Sequence, residues 1–469
     1  MANEVELKLS LPEYAVSNML AMAEQDGAVL GEYQGEPLML DNQYFDTDDL
    51  ALNQSHAALR IRKSQHGYKQ TLKNKGQAIA GLHQRGEWEY DIDQAEIDWS
   101  LFPEELKIDP DLKNAIKPLF KTDFKRHVWI KQFGDSKIEL VLDQGLILNQ
   151  HKQIPLCEIE LELLEGTPQD LFAFARELAQ QLPLVPCDIN KAERGYGLEA
   201  NISFYSAPSF SEQLHTDIDV NVLLQDALTR INRHWDHFSQ TKDWWSLLVL
   251  SRHVQATEFV ISSVYESGCQ LSKDMELVLE SWQSLKHQLV DLLAPARVVM
   301  ALFVDDHSHS RGLSQRLLQN LTGSLNDSIQ SWMGQNSLGQ SLLILGEFLY
   351  EHGEALGQNP QVSKPVTAQL WQDFEQLKQR SLDMPVQVFS ELQSVQTLAY
   401  FHKRFEHNAY SLINDLVRQH LVVMGMSDAM AICVITDEDS RAKLASWSRR
   451  ITVEQRRLQA VREQLKDQL

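Results

Sequence analysis

Charged and apolar residues alternate over the first ten positions, where Glu4, Glu6 and Lys8 interleave with Val5, Leu7 and Leu9. Successive side chains of a strand point to opposite faces, so this spacing predicts a strand with two carboxylates and an ammonium on one side and apolar residues on the other. One such strand is an ordinary amphipathic edge. The pattern then recurs. Arg60 and Arg62 share a face in LRIR opposite Leu59 and Ile61, and Lys69, Thr71 and Lys73 continue it in YKQTLK. Arg85, Glu87 and Glu89 flank Trp88, Glu139 and Asp143 mark IELVLDQ, and Glu158, Glu160 and Glu162 mark CEIELEL. Each segment predicts a strand with one charged face.

The period changes after about residue 219. Asn201 to Asp219 contains Ser and Pro without a sustained repeat, which predicts a boundary. Beyond it apolar residues recur every three or four positions over Val222–Trp235, Trp244–Tyr265, Met275–Leu293 and Leu392–Leu421, as amphipathic helices require. In Arg441–Lys466, Arg449, Arg450, Arg456, Arg457 and Arg462 surround Leu444, Ile451, Leu458 and Leu465 at heptad spacing, predicting a packed terminal helix with a basic outer surface. The second half therefore reads as all-helical.

Composition narrows the function classes. A length of 469 residues allows two or three domains with full cores. The formal charge of −22 excludes a generally basic nucleic-acid binder, and any cations for a polyanion must be gathered locally. Residues 1–200 hold 20 Lys plus Arg against 34 Asp plus Glu, leaving 23 against 31 for the rest, so neither half is net basic. Cys157, Cys187, Cys269 and Cys433 lack paired spacing. That fits a reducing compartment. The charged strand opens the chain without a leader, and no apolar run reaches membrane-spanning length; a cytoplasmic protein with no membrane or nucleic-acid partner is expected.

If the strands close into a barrel with charged faces inward, the lumen holds Lys8, Arg60, Arg62, Lys69, Lys73 and Arg85 beside Glu4, Glu6, Glu158 and Glu160. Buried charge is costly unless it is paired, hydrated or met by a ligand. A polyphosphate with a divalent metal meets both signs: phosphate oxygens take the cations and the carboxylates take the metal. Hard oxygen donors suit Mg²⁺ or Mn²⁺, and no thiolate or imidazole metal site is in view. His234 and His237 share a helix face but lack a third ligand for zinc. There is no GxxxxGK[ST] phosphate loop and no GxSxG elbow. The glycines of NKGQAIAGLHQRG predict a flexible hairpin connection, a loop at the tunnel mouth.

ExExK (Glu4, Glu6, Lys8), YFDT at Tyr44–Thr47, ALRIR at Ala58–Arg62, TDFKR at Thr122–Arg126, LDQG, CEIELEL and NKAERGY together resemble the CYTH domain of the triphosphate tunnel metalloenzymes. The layout resembles the two-domain bacterial inorganic triphosphatases, in which a helical CHAD domain follows. The resemblance implies an α+β chain: an eight-stranded antiparallel β tunnel over residues 1–202 and an all-α helical bundle over 216–469. It implies hydrolysis of inorganic triphosphate to pyrophosphate and phosphate with Mg²⁺ or Mn²⁺. Glu4, Glu6, Glu158 and Glu160 would be metal ligands, and Lys8, Arg60, Arg62, Lys69, Lys73, Arg85 and Arg126 would hold phosphate oxygens. Glu162 continues the metal-ligand face. Asp143 and Glu87 match acidic family positions of unassigned role, and Arg194 would pair with a lumen carboxylate. Lys191 matches a position that orients or deprotonates the attacking water, a role that needs its pKa lowered by neighbouring cations; plain phosphate binding is the other reading. Thiamine triphosphatase or class IV adenylyl cyclase chemistry would share these ligands, and a noncatalytic polyphosphate-binding module is a further alternative. For polyphosphate contacts in the helical half the candidates are Arg252, His253, His402, Lys403, Arg404 and His407, though solvated charge and satisfied histidines are the favoured explanation. The oligomeric state is not legible.

Overall fold

The computed structural model describes residues 2–25, 27–74, 76–103, 106, 108–200, 220–242, 244–266, 274–293, 326–358, 453 and 456. The chain divides into two compact units, Met1–Ala207 with Leu338–Glu351, and Pro208–Ser337 with His352–Leu469.

In the first unit the strands are β1 (Ala2–Ser10), β2 (Glu32–Tyr33), β3 (Leu38–Asp46), β4 (Ala58–Ser64), β5 (Gly67–Lys73), β6 (Gln77–Ile79), β7 (Leu82–Ile92), β8 (Lys117–Phe133), β9 (Ser136–Leu148), β10 (Gln153–Glu165) and β11 (Val185–Pro186). Eight of them form a ring in the order β1-β10-β9-β8-β3-β4-β5-β7, and β7 pairs back onto β1. All these pairings are antiparallel. The sheet is therefore a closed barrel, with β2, β6 and β11 as short additions on β8, β7 and β1.

The period-2 pattern dictates this closure. Leu7, Leu9, Leu140, Leu142, Ile159 and Leu161 are fully buried on the outer face. The helix Pro168–Gln181 packs on β1 and β10, burying Leu171, Phe172, Phe174, Ala175, Leu178 and Ala179. It starts at a proline whose missing N–H costs nothing in the first turn. Each fully buried leucine or isoleucine contributes about 1.5–3 kcal/mol. Leu59, Leu72, Trp88 and Phe102 form a second outer cluster, covered by apolar residues of the 97–116 segment.

One end of the lumen is apolar. Leu40, Tyr44, Phe120, Phe124, Ile147 and Leu156 lie on the same strand faces as the charged lumen residues, and Tyr196 of the helix Lys191–Ala200 joins them. The barrel is plugged at that end, and Lys191 sits where the plugging helix begins.

The segment expected as a flexible loop at the mouth is instead ordered and partly buried. Gln77–Ile79 pairs with β7, and Ala80 and Leu82 are buried. Ala80 at φ 48° and Gly81 at φ 84° make a turn in the left-handed region, which matches the twist of the flanking strands.

In the second unit, Val220–Thr241 and Trp244–Glu266 pack together, as do Trp244–Glu266 and Asp274–Leu292. Leu224, Leu228, Ile231, Trp235 and Phe238 recur at helical spacing and are buried. A further helix, Ser337–Gln358, has its stretch Leu338–Glu351 in the first unit. Val453 and Arg456 are helical and exposed. The rest of Arg441–Lys466, the Leu392–Leu421 segment, His402, Lys403, Arg404 and His407 lie outside the described residues. So do the boundary at Asn201 to Asp219, the Arg252 side chain, Cys269 and Cys433. Among the described residues no helix is long and apolar enough to cross a membrane.

Candidate active site

Strand register carries charge around the ring. Glu4 faces Arg85 across β1–β7, and Lys8 faces Glu160 across β1–β10. Glu158 faces Asp143 across β10–β9, and Asp143 faces Arg126 across β9–β8. Asn42 faces Arg62 on β4, Arg62 faces Lys69 on β5, and Lys73 faces Glu87 on β7. The candidate residues therefore converge in one lumen.

The acidic centre is Asp143, Glu158 and Glu160, whose nearest carboxylate oxygens lie within 4.8 Å of one another. Arg126 grips Asp143 with two bonds of 2.7 and 2.6 Å and reaches Glu160 at 2.9 Å. Lys8 donates to Glu160 and lies 3.2 Å from Glu6. Lys191 donates to Glu158 and lies 3.0 Å from Glu160 and 2.7 Å from Asp143. Burial alone raises the pKa of Asp143 and Glu160. For Glu160 the charges of Lys191, Lys8 and Arg126 outweigh burial and hold it well below the usual range, and Arg126 and Lys191 do the same for Asp143. Three converging carboxylates make a hard-oxygen donor set that could hold a divalent metal ion.

Around Lys191 the crowding has the opposite sign to that required of a base. Burial favours the neutral amine, but Asp143, Glu158 and Glu160 outweigh it and raise the pKa. These three carboxylates favour the ammonium form of Lys191. Its Nζ and the Arg126 guanidinium both lie over the Phe124 ring, at 5.2 and 5.7 Å from the centroid.

Glu4 and Glu6 stand beside a second group of cations. Lys73 donates to both oxygens of Glu4 at 2.7 and 2.9 Å, Arg85 donates to Glu4 at 3.0 Å and also to Glu6. Glu87 lies 3.4 Å from Lys73. The pKa of Glu162 is pushed up to about 7 by burial and by the charges of Glu4, Glu139 and Glu6. Lys69 sits at the more exposed rim, bound to Glu89 at 2.9 Å. Arg194 donates to Cys187 Sγ at 3.3 Å.

Arg60 and Arg62 differ from the other lumen cations. Among the described residues neither guanidinium has a carboxylate oxygen within 4.0 Å. Arg62 donates to Asn42 at 2.9 Å, and Arg60 Nε is buried without a hydrogen-bond partner. Burial, with the charges of Arg60 and Arg126, lowers the Arg62 pKa. Its positive charge is thus under-compensated. Sequence reasoning found both arginines but assigned nothing to Asn42 or Phe124; their shared parity with Tyr44 and Arg126 was the available signal.

The profile of the CYTH domain matches residues 2–196. The inorganic triphosphatase of Haemophilus influenzae is 34% identical over 203 residues, which are 42% of this chain and 55% of that protein. The chain thus spans about half the length of the curated relative it matches. A solved protein from Hippeastrum, described as having a dominant triphosphatase activity, aligns with TM-score 0.33 and 17% identity over 42% of this chain and 96% of its own. One from Pyrococcus horikoshii aligns with TM-score 0.24 and 17% identity over 37% and 85%.

Proposed function

We propose, from the match of residues 2–196 to the CYTH domain, that the chain is a divalent-metal-dependent inorganic triphosphatase, cleaving tripolyphosphate to pyrophosphate and phosphate in the barrel lumen. The observation that carries this reading is the pair of half-buried arginines, Arg60 and Arg62, with no carboxylate oxygen within 4.0 Å among the described residues, in the same lumen as the Asp143, Glu158 and Glu160 cluster. A phosphate chain carrying a divalent ion satisfies both at once.

In this reading Glu158 and Glu160 hold Mg²⁺ or Mn²⁺, with Asp143 beside them and Glu6 and Glu4 along β1. The bound ion supplies charge neutralisation and a lowered pKa for water. Arg60, Arg62, Arg126, Lys8, Lys73, Arg85 and, at the rim, Lys69 orient phosphate oxygens and offset charge developing on the leaving group, which is most of what phosphoryl transfer asks of a protein. Lys191, held as an ammonium by its three acids, binds phosphate or orients water. The apolar plug makes the charged end the entrance. Residues 1–202 are the catalytic region, and residues 216–469 are a CHAD-like accessory region. A cytoplasmic setting fits the substrate.

Phosphate release from tripolyphosphate, ATP and thiamine triphosphate, each with Mg²⁺, Mn²⁺ or chelator, tests the reading. Expected is metal-dependent release that prefers tripolyphosphate. ATP cyclisation, a preference for thiamine triphosphate, or binding without turnover overturns it.

A further inference from the structure

The turn at Ala80–Gly81 holds the backbone of two lumen lysine segments. Gly81 O accepts from Lys8 N–H at 2.8 Å, and Lys8 O accepts from Cys187 N–H at 2.9 Å. Gly81 N–H donates to the carboxylate of Asp188 at 2.8 Å, three residues before Lys191. Lys8 and Lys191 are two of the cations on Glu160. A shift of this turn therefore moves both ammonium groups.

What seats the turn comes from far along the chain. Leu338–Glu351, most of the helix Ser337–Gln358, belongs to the same compact unit as the barrel. At Gly346 a Cβ would stand 2.4 Å from the Ala80 Cβ and 3.1 Å from the Phe172 ring. Three polar contacts fix the helix there: Gln340 to Ala179 O at 3.1 Å, Arg176 to Glu347 at 2.6 Å, and Gln84 to the Tyr350 hydroxyl at 3.3 Å. A mid-helix glycine costs about 1 kcal/mol relative to alanine. Here the close approach of Ala80 accounts for it. Ala80 itself is 2% exposed at φ 48°, a conformation that an L-residue keeps only when its surroundings impose it.

We infer that the helix segment Leu338–Glu351, through Gly346, is a positioning element for Lys8 and Lys191, acting by seating the Ala80–Gly81 turn. Gly346 is a positioning residue and touches no substrate. The activity arm of its test rests on the triphosphatase reading, whereas the exchange arm does not.

The experiment compares the full chain with Gly346→Ala, Ala80→Gly and the double variant, by amide hydrogen exchange over residues 2–10 and 185–195 and by tripolyphosphate turnover. In Gly346→Ala the new methyl collides with Ala80; exchange should accelerate in both segments and kcat fall about tenfold or more, as misplacement by an ångström allows. KM should change much less. Ala80→Gly alone should leave both readouts near wild type, and the double variant should recover them because the colliding methyl is gone. A Gly346→Ala chain that does not fold, with folding and turnover recovered in the double variant, supports the same contact. Unchanged exchange in Gly346→Ala, or loss that persists in the double variant, overturns it. Rescued exchange in a chain whose wild type hydrolyses no tripolyphosphate leaves the contact standing and removes the activity reading instead.

Discussion

Among the described residues Arg62 has no carboxylate oxygen within 4.0 Å, and burial with the charges of Arg60 and Arg126 outweighs its attraction to Glu89, an arrangement that costs the folded barrel stability. Stability and substrate binding therefore pull against each other at this position. Arg62→Met keeps the side-chain length and removes the charge. Its melting temperature should equal or exceed that of the wild type, while KM for tripolyphosphate rises about 10- to 150-fold, the loss of one charge-assisted contact of about 1.5–3 kcal/mol. A variant that melts lower with unchanged KM identifies Arg62 as a structural cation. Glu89 at the rim behaves oppositely. Burial raises its pKa, but Lys69, Arg60 and Arg62 outweigh that and bring it down to about 2, against 4.5 for the ordinary group. A depressed acid contributes stability that is complete above about pH 4.5 and lost as pH falls toward about 2. Glu89→Gln should therefore flatten the stability profile within that window in melts from pH 6 to 3; an identical profile removes Glu89 from the acid response. Which side chains share the lumen was legible at this scale, because a period of two assigns faces directly. The centrality of Asp143 was not, since it depends on the β9–β10 register that brings it opposite Glu158, and no local pattern sets that register.

Elements show where local pattern gives way to packing. The helix Lys191–Ala200 closes the apolar end of the lumen by laying Gly195 against Phe120, where a Cβ would come within 1.9 Å of the ring. Phe120 is itself stacked on Tyr44 and edge-on to Tyr196, so it has little room to retreat. Gly195→Ala gains helix propensity, yet overpacking of this kind costs about 1–3 kcal/mol and should dominate. The denaturation midpoint should fall with an unchanged slope; a midpoint at or above the wild type means that the plug is loosely packed. The NKGQAIAGLHQRG segment teaches the same lesson. Its glycines signal a turn and do so correctly at Gly81, but glycine content says nothing about burial. Ala80 and Leu82 are buried because Phe172 and Gly346, remote in sequence, approach that turn.

For the whole molecule, the two-part division was legible from the switch between periods of two and of three to four residues. The membership of Leu338–Glu351 in the barrel's unit was not, because an amphipathic stripe shows that a helix is covered without showing by what. The folded barrel has a global consequence that melting can measure. Asp143, Glu158 and Glu160 converge only when β9 and β10 are paired, so a divalent ion binds the native state and not the unfolded chain. By mass action, Mn²⁺ at about 100 times its Kd then adds about 2.7 kcal/mol to stability. The wild-type melting temperature should rise with Mn²⁺ and return on chelation, in the absence of any phosphate. Glu160→Gln removes one donor while leaving Lys8, Arg126 and Lys191 facing one carboxylate fewer, so its metal-dependent rise should vanish. Arg456→Ala, on an exposed helical residue, should keep the full rise. An equal rise in Glu160→Gln would place the ion elsewhere in the chain, and with it the chemistry assigned to this lumen.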